Sequence, residues 1–554
     1  MSLAHEQKSL PATQAPIFSL WRLFRFPLMV LFFFGGIFAI PWICLALNVE
    51  FDQEWAGPLF MATSWLAPAA AVVIIAFWWL IFSDVSAITR FGVLFLIGAV
   101  VAGFIFSQRK APELTTGRFG LVPRFHFLWE VSAEAKHAQY LDASLKKKDD
   151  LEAIDATVGP EDFASYRGAK RDGVITFVKL HRNWDAAPPV VSWRHACPEG
   201  YGGVAVAGNI VVTLEQHGTQ EVVACYDRAT GRPRWAYPYD AFHQDVMGDG
   251  PRSTPTIHNK MIYTIGATGE LVCLNAEGKL QWSKNVLTEA KAKNIKWGLT
   301  GSPLIVDDLV IAHAGIDPKA PAESALIAFN QADGKVRWKT GHRPAGYSSP
   351  QLVTLAKVPQ ILLFDGAGLV SYDPKTGKEL WTFPWITDYD MNSIQPVVVG
   401  DDCVFISSEL NNGCALLRAK STDKESWTVE TVWKNKNLAA RYANPVTDGK
   451  TIFGLHDMAG FLRALDVSDG SIKAKGERHG PGQMLLVDDL LLVVNGKTGD
   501  VVLFETADTN CKELGRFSAF ENSDKTWNTP ALAGGQLFIR NQAEIACVKL
   551  PRRN

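Results

Sequence analysis

The stretch SYDPKTGKELW, Ser371–Trp381, decides the fold because the chain repeats its pattern several times. Related stretches end at Trp235, Trp282 and Trp338. Each copy has an acidic or amide residue, a short polar turn, a glycine, and a tryptophan four residues after that glycine. A unit that recurs in this way indicates a repeat architecture, in which every copy forms one supersecondary unit.

Each copy of the repeat is predicted to be two antiparallel strands joined by a tight turn. In GAGLVSYDPKTGKELW, apolar and polar residues alternate before the turn, as in a half-buried strand. Gly377 is expected to take the positive φ of the turn, and Asp373 to hydrogen-bond the turn backbone. Trp381 is expected to pack against a neighbouring unit. Another strand pair precedes each hairpin, so the unit has four strands and about 40 residues, which is typical of a propeller blade.

The positions of the repeat predict an all-β fold with eight blades. Tryptophans occupy the repeat position at Trp193, Trp235, Trp282, Trp338, Trp381 and Trp433. Two degenerate copies, ALDVSDGSIKAK and LFETADTNCKEL, follow without the tryptophan, and the C-terminal segment has residues for only three more strands. The missing strand is predicted to be PPVVSWRHA, so that the first and last segments pair and close the ring. Seven blades is the alternative, if the two degenerate copies merge.

The N-terminal region is predicted to be a membrane anchor with three transmembrane helices, because it contains three apolar runs of about the length that a bilayer requires. The runs lie at about residues 26–47, 58–82 and 88–106. A signal peptide fits the first run less well, since no small-residue cleavage site follows it. Ile43 precedes Cys44 where a lipidation site would have a small residue, which argues against a lipoprotein.

Charges near the first apolar run predict the orientation of the anchor. Basic residues precede this run, and the loop after it carries only acidic ones; they are Lys8, Arg22 and Arg25, then Glu50, Asp52 and Glu54. The positive-inside tendency therefore predicts a cytoplasmic tail over residues 1–25. Three crossings place the rest of the chain outside the cytoplasm.

The remaining chain is predicted to be a linker followed by the propeller. Residues 107–163, which include LKKKDDLEA, are expected to form a charged, solvated spacer or a disordered segment. Residues 164–554 are expected to form the propeller. The formal net charge is only −2, which excludes nucleic acid as a partner because a phosphate backbone requires a basic face.

The repeated glycine and tryptophan resemble the tryptophan-docking repeat of the pyrroloquinoline quinone (PQQ)-like, or quinoprotein alcohol dehydrogenase-like, β-propellers. The resemblance covers about residues 166–550. This family includes PQQ-dependent dehydrogenases and also BamB, a non-enzymatic partner in outer-membrane protein assembly. YRGAKRDGV, Tyr166–Val174, is similar to the lead-in of bacterial members without a demonstrated activity. The resemblance implies a multi-pass protein of the bacterial inner membrane with its propeller in the periplasm.

The resemblance leaves two functions open, a BamB-like binding or scaffold module and a PQQ-dependent membrane dehydrogenase that passes electrons to quinone. In the dehydrogenases, PQQ and calcium lie in the central funnel, held by acidic and amide side chains. This chain has no Cys-Cys pair and no residue match to the calcium ligands, so no catalytic residue or metal ligand is assigned. The scaffold is favoured, and PQQ with calcium stays a possible cofactor. The stretch HQDVMGDG, with His243, Asp245 and Asp249, lacks metal-site spacing and is interpreted as a polar loop.

The loops that lead into the innermost strands are predicted to carry large polar or aromatic groups to one mouth of the central channel. The candidate ring consists of Tyr201, Arg252, Trp297, Tyr347, Asn392, Arg441, Tyr442, His479 and Trp527. Such a ring suits a planar or anionic ligand, or a peptide segment of a partner protein. The alternative is that these side chains only plug the channel and cap the strands.

The cysteines are predicted to be structural. Cys225, Cys273 and Cys547 occupy equivalent positions in three repeats, where a small buried hydrophobe is expected. Cys403 and Cys414 flank a predicted hairpin, and a disulfide between them is left open.

Overall fold

The glycine–tryptophan repeat builds the outer hairpin of a four-stranded antiparallel sheet, and eight such sheets follow one another along the chain. The computed structural model describes residues 27–36, 67–82, 86–117, 120–145, 151–315, 325–409, 412–423, 426–507, 511–521 and 524–553. The chain divides into two compact units, Met1–Lys110 and Ala111–Asn554.

The first unit contains three apolar helices among its described residues: α1 (Pro27–Gly36), α2 (Ala67–Phe82) and α3 (Ala87–Phe106). Within the described part of the chain, α3 alone is long and apolar enough to cross a membrane. Ser86 caps its N-terminus by accepting a hydrogen bond from the backbone of Thr89 at 3.3 Å. The prediction of three spans is therefore not confirmed, and much of the first two runs, like the tail at 1–25, lies outside the described residues.

The predicted linker contains regular structure. Strands β1 (Gln108–Gly117) and β2 (Gly120–Phe127) form a two-stranded sheet, and helix α4 (Ala133–Leu145) follows. The α4 residue His137 is buried and its Nδ1 lies 2.8 Å from the carbonyl oxygen of Ala196. From α4 onwards the segment thus packs on the propeller and is not a solvated spacer, because residues such as His137 and Ala156 bury their side chains there.

The strands of the propeller are assigned to blades in chain order. Strands β3 (Val174–Ile175) and β4 (Val190–Ala196) precede the first complete blade. Blade 1 comprises β5 (Ala205–Ala207), β6 (Ile210–His217), β7 (Gln220–Asp227) and β8 (Pro233–Asp240). Blade 2 comprises β9 (Thr256–His258), β10 (Met261–Ile265), β11 (Glu270–Asn275) and β12 (Leu280–Asn285), followed by the short helix α5 (Val286–Ala290). Blade 3 comprises β13 (Leu304–Val306), β14 (Leu309–His313), β15 (Leu326–Asn330) and β16 (Val336–Thr340).

The next three blades repeat this order. Blade 4 comprises β17 (Gln351–Leu355), β18 (Val358–Asp365), β19 (Gly368–Tyr372) and β20 (Glu379–Pro384), followed by a 3-10 turn at Asp388–Asp390. Blade 5 comprises β21 (Val397–Val399), β22 (Cys403–Ser408), β23 (Gly413–Ser421) and β24 (Trp427–Asn435). Blade 6 comprises β25 (Val446–Thr447), β26 (Thr451–His456), β27 (Phe461–Asp466) and β28 (Ile472–Arg478).

The last two blades use strands from the start of the propeller. Blade 7 comprises β29 (Gln483–Val487), β30 (Leu490–Val494), β31 (Asp500–Glu505) and β32 (Glu513–Ser518), and β3 pairs in parallel with β29. Blade 8 comprises β33 (Ala531–Ala533), β34 (Gln536–Arg540), β35 (Glu544–Lys549) and β4. Trp193 of β4 lies opposite Cys547 of β35, as the predicted ring closure requires. Eight blades are confirmed, because the degenerate copies form separate sheets.

The repeat residues join neighbouring blades. The indole N–H of Trp282 in blade 2 donates to the carbonyl of Gln331 in blade 3 at 2.8 Å. Gly334 of the same turn has φ +66°, and a Cβ added to it would lie 2.7 Å from the Trp282 ring. Glycine is therefore required both for the backbone conformation and for the space that the neighbouring ring fills. The same contact joins Gly231 to Trp193 and Gly278 to Trp235, which explains why the two residue types recur together.

Cys225, Cys273 and Cys547 are small buried side chains, as predicted, and Cys44 lies outside the described residues. Cys225 and Cys273 lie opposite Trp235 and Trp282 in their hairpins, where a small residue leaves room for the indole. A disulfide between Cys403 and Cys414 does not form. The hairpin register pairs the first with Arg418 and the second with Ser407, so the two thiols are not cross-strand neighbours.

Candidate functional site at the mouth of the channel

Three aromatic rings from different blades form a continuous ladder at one mouth of the channel. Tyr442, in the loop that leads into blade 6, stacks on Trp527 with ring centroids 5.2 Å apart and an interplanar angle of 23°. Trp527 then packs against Tyr201 with centroids 5.7 Å apart. All three side chains are half-buried, so part of each ring remains accessible. Loops that are far apart in sequence thus present one aromatic surface, named here the aromatic ladder.

An arginine flanks each end of the aromatic ladder. The Arg252 guanidinium lies 5.2 Å from the Tyr201 ring centroid, and that of Arg441 lies 5.3 Å from the Tyr442 centroid. Each arginine is held by a carboxylate, Arg252 by Asp245 at 2.5 Å and Arg441 by Glu409 at 2.7 Å. The charges of these two arginines are therefore compensated within the protein, while the guanidinium planes remain beside the rings.

The stretch HQDVMGDG forms the loop that holds Arg252. Asp245 accepts hydrogen bonds from Arg252 and from the backbone N–H of Met247, each at 2.5 Å, and the His243 ring lies 3.3 Å away. Burial raises the pKa of Asp245, but the His243 contact and the Arg252 charge outweigh it and lower the pKa. Asp245 is consequently an anchor for an arginine of the mouth.

A second aromatic group occupies the equivalent loops of blades 3 and 4. Trp297 and Tyr347 have centroids 5.5 Å apart, and Trp297 meets Tyr389 edge to face at 6.2 Å. The Lys296 ammonium lies 4.5 Å from the Tyr389 centroid and 4.9 Å from that of Trp297. Burial raises the pKa of Tyr347, which remains a neutral phenol. Tyr389 was missed at the sequence level because it lies in the 3-10 turn after β20, outside the loops that define the ring.

Two residues of the predicted ring do not line the mouth. Asn392 is fully buried and donates to the carbonyls of Asp365 and Trp385 at 2.8 and 2.9 Å, so it closes the backbone of blade 4. His479 is also fully buried and meets Phe504 edge to face at 5.5 Å. Burial lowers its pKa to about 4, so His479 is a neutral core side chain. The predicted ring of side chains at the mouth was therefore wrong to include Asn392 and His479.

A belt of polar side chains connects the eight blades directly beneath the mouth. For example, the backbone N–H of Thr254 donates to Ser302 Oγ at 2.9 Å, and that of Ser302 donates to Ser349 Oγ at 3.0 Å. The belt passes from each blade to the next through Thr254, Ser302, Ser349, Gln395, Asn444, Gln483 and Asn528. The signal in the sequence was a polar residue shortly before the proline that begins most inner strands, as in STP, GSP and ANP.

The stretch YRGAKRDGV forms the floor beneath the mouth. Arg171 is buried and donates to the carbonyls of Ser302 and Pro350 at 3.1 and 2.9 Å, and also to that of Pro303. These carbonyls directly precede the inner strands of blades 3 and 4, so one side chain connects two blades at the axis. Burial lowers the pKa of Arg171 to about 9, which still leaves it protonated at neutral pH.

Arg167 completes the floor on the opposite side. It donates to the carbonyl of Asp172 at 2.6 Å and to that of Pro445, before blade 6, at 2.9 Å. Gly173, with φ +73°, lies against the guanidinium, where an added Cβ would be 2.7 Å from the nearest nitrogen. Residues 166–175 therefore cross the channel and close it, before β3 pairs with blade 7.

Comparisons with known proteins support the PQQ-like propeller family. The family model described as outer membrane protein assembly factor BamB matches residues 221–475. No curated protein sequence matches the chain. Among solved structures, quinohemoprotein alcohol dehydrogenase from Comamonas testosteroni aligns with a TM-score of 0.51 and 11% identity, over 75% of this chain and 84% of that chain.

Two further structures align with the chain. Quinohemoprotein alcohol dehydrogenase ADHIIG from Pseudomonas putida HK5 aligns with a TM-score of 0.50 and 12% identity, over 77% of this chain and 83% of that chain. BamB from Moraxella catarrhalis aligns with a TM-score of 0.47 and 14% identity, over 65% of this chain and all of that chain. At these identities the likeness to the dehydrogenases concerns the fold, and the site must be judged on its own residues.

Proposed function

We propose that this protein is a membrane-anchored, extracytoplasmic binding module whose propeller receives a segment of a partner protein at the mouth of the channel, as a BamB-like scaffold. The observation that carries the proposal is the aromatic ladder of Tyr442, Trp527 and Tyr201, flanked by Arg252 and Arg441. Aromatic side chains and arginines are the residue types that contribute most to protein–protein binding energy.

The two arginine–carboxylate pairs at the mouth favour a peptide over a polyanion as the ligand. Arg252 and Arg441 are already neutralised by Asp245 and Glu409, so binding a multiply charged ligand would have to disrupt these pairs. The flat, half-buried faces of the aromatic ladder suit the side chains of an extended segment.

The membrane anchor and the location belong to the same proposal. Helix α3 has the length and composition of a membrane span, and its apolar side chains are largely exposed, as Phe95 is at 79%. The basic residues that precede the first apolar run favour a cytoplasmic N-terminus and a periplasmic propeller at a bacterial inner membrane.

A PQQ-dependent dehydrogenase is supported less well by the side chains of the mouth. Calcium requires several oxygen ligands, usually carboxylates. The carboxylates that contact the ring, Asp245 and Glu409, are each engaged by an arginine. Over the described ranges, the group of three or more His, Cys, Asp or Glu side chains that could converge on one ion lies on blade 1 and not at the mouth. These residues do not fit a calcium–PQQ site, and no reaction step is assigned.

Site-specific photo-cross-linking in membranes tests the proposal. A photoreactive residue at Tyr442 of the full-length protein is expected to give one dominant protein adduct. The matched control is Val432, an exposed residue of the outer strand β24, which should not give this adduct. Adding Trp527→Ala should reduce the Tyr442 adduct severalfold, because it removes the centre of the ladder.

A second measurement separates the scaffold from the dehydrogenase. The purified full-length protein is titrated with PQQ and Ca²⁺ while tryptophan fluorescence is followed, with Ca²⁺ alone as the control. The scaffold predicts no saturable quenching. Saturable quenching at micromolar PQQ, with no Tyr442 adduct beyond that at Val432, would overturn the proposal and support the dehydrogenase.

A further inference from the structure

A cluster of two histidines and a glutamate lies on blade 1, away from the mouth of the channel. His137 belongs to helix α4, whereas Glu215 and His217 belong to strand β6. Each of the three offers one ligand atom, and these atoms lie within 4.8 Å of one another. Imidazole nitrogen and carboxylate oxygen are ligands that Zn²⁺ and related divalent ions bind well.

The strand places two of these side chains on one face. Strand β6 has eight residues, whereas the equivalent strands β10 and β14 have five, and Glu215 and His217 lie on this extension. Residues i and i+2 of a strand point to the same side of the sheet, so both side chains face α4. His217 Nε2 lies 2.8 Å from Glu215 Oε2, and His137 Nε2 lies 3.8 Å from the same oxygen.

These distances are close to those of a tetrahedral site. Ligand atoms about 2.0–2.1 Å from a central zinc ion are roughly 3.3 Å from one another. The two separations from Glu215 Oε2, 2.8 and 3.8 Å, lie on either side of this value, and all three ligand atoms lie within 4.8 Å of one another, so the side chains must close on the ion. The side chain of His217 is 26% exposed and those of His137 and Glu215 are 3% and 0% exposed, which leaves a route for the ion and for a water ligand on one side.

The surrounding hydrogen bonds have the arrangement that supports metal ligands. His137 Nδ1 lies 2.8 Å from the Ala196 carbonyl, which requires the N–H on Nδ1 and leaves the Nε2 lone pair directed at Glu215. The hydroxyl of Tyr226 donates to the other carboxylate oxygen, Oε1, at 2.5 Å, and the thiol of Cys197 donates to it at 3.4 Å. Oε2 therefore remains for the ion, while Oε1 is fixed from behind.

We propose that His137, Glu215 and His217 bind a divalent transition-metal ion such as Zn²⁺, which clips helix α4 onto the first blade. The ion connects helix α4, which precedes the propeller in the chain, to strand β6 of blade 1. It replaces the His217–Glu215 hydrogen bond, and His217 then binds the ion through Nε2 as a neutral imidazole with its proton on Nδ1; a second proton, if the ring is imidazolium, is released. The ion's two positive charges add to that of the nearby Arg540 in compensating the buried Glu215 carboxylate.

Metal binding to the full-length protein in detergent tests this site. After treatment with chelator, Zn²⁺ is added and bound metal is measured by elemental analysis following dialysis. One Zn²⁺ per chain is expected. His217→Gln should weaken binding by at least about 10–100-fold, since changes even to outer partners of a metal site have effects of this size. His258→Gln, which removes an imidazole from strand β9 of blade 2, should leave the stoichiometry unchanged.

A second readout separates a metal clip from a merely structural cluster. Zn²⁺ should slow proteolysis within α4 in the unaltered protein but not in Glu215→Gln, which retains the shape of the side chain. Tryptophan fluorescence and thermal unfolding without metal check that each variant is folded. Zinc binding well below one ion per chain, or equal binding by the His217→Gln and His258→Gln proteins, would overturn the proposal.

Discussion

Arginines occur at two levels of the same channel, and their guanidinium groups have different hydrogen-bond partners at the two levels. On the floor, Arg171 is buried and donates to backbone carbonyls of two blades. At the mouth, Arg252 and Arg441 pair with carboxylates beside half-buried aromatic rings, and Arg252 also donates to the carbonyls of Gly248 and Gly250. The floor therefore uses its arginines to hold strands of different blades together, whereas the arginines of the mouth lie beside aromatic rings that are only half-buried.

The partners of an arginine indicate whether it serves the fold or a binding site. A guanidinium with several carbonyl partners is committed to the fold, because carbonyls left without donors in a buried site are costly. A guanidinium held by one carboxylate keeps part of its surface for further contacts. Substitutions on the floor, in the blades and at the mouth test this division.

The largest effect is expected on the floor. Arg171→Met removes the donors for the carbonyls of Ser302, Pro303 and Pro350, all in a buried setting. The free energy of unfolding should fall by about 3–5 kcal/mol. Urea unfolding of the full-length protein, followed by tryptophan fluorescence, measures the change. A loss below about 1 kcal/mol would show that the floor is not a structural tie.

A pH effect is expected from His313, at the end of strand β14. It is 4% exposed, and burial lowers its pKa to about 4, whereas the unfolded chain has a value near 6.5. As the pH falls, the unfolded state therefore takes up a proton on His313 before the folded state does. The contribution of neutral His313 to the free energy of unfolding is fully present above about pH 6.5 and is lost as the pH falls towards 4. From pH 7 to pH 5 this one group should remove about 2 kcal/mol. His313→Gln should lessen the dependence of the urea midpoint on pH; equal slopes in both proteins would contradict the assignment.

Contacts between the outer hairpins of neighbouring blades stabilise the ring, and two glycines distinguish this packing from the backbone requirement of a turn. Gly334 and Gly400 have φ of +66° and +64°, but only Gly334 lies against a tryptophan ring, since nothing lies within 4 Å of a Cβ at Gly400. Gly400→Ala should cost about 1 kcal/mol for the backbone alone. Gly334→Ala should cost about 1–2 kcal/mol more, because Trp282 must move. Equal urea midpoints for the two variants would mean that the glycine–tryptophan contact does not stabilise the packing of neighbouring blades.

The smallest effect on stability is expected at the mouth. Arg441→Lys keeps the charge next to Glu409 and should change the free energy of unfolding by less than about 1 kcal/mol. It should nevertheless weaken the photo-cross-link at Tyr442 severalfold, because a lysine does not present a flat face beside the ladder. The same exchange at Arg171 provides the matched comparison, since a single ammonium cannot reach three carbonyls. If Arg441→Lys destabilises the protein as much as Arg171→Lys, the division between floor and mouth is wrong.

The blades were predictable from the sequence because their determinants are local. Gly334 and Trp338 lie in one hairpin, and the turn chemistry and strand alternation are visible within a dozen residues. The closing strand was also predictable, because Trp193 marks it as a missing member of the repeat.

The mouth was predicted in part. Its loops could be located, but periodicity does not say which way a loop side chain turns, and His479 turns into the core.

The floor and the blade 1 cluster were not predictable for a different reason. Arg171 contacts Pro350, 179 positions away in the chain, and no pattern near either residue records the contact. In the same way, His137 lies in a segment predicted to be a charged spacer, and only the packing of α4 brings it to Glu215. Contacts of this kind depend on how the finished ring is closed.

That closure has a consequence for how the protein is made. Strand β4, Val190–Ala196, pairs with β35, Glu544–Lys549, so its partner is synthesised only after the seven blades that lie between them in the chain. At about 5–20 residues per second, the edge of β4 waits roughly 20–70 s for that partner. During this interval the nascent protein carries an open strand edge that is a target for chaperones, and truncation near the C-terminus would leave that edge open permanently.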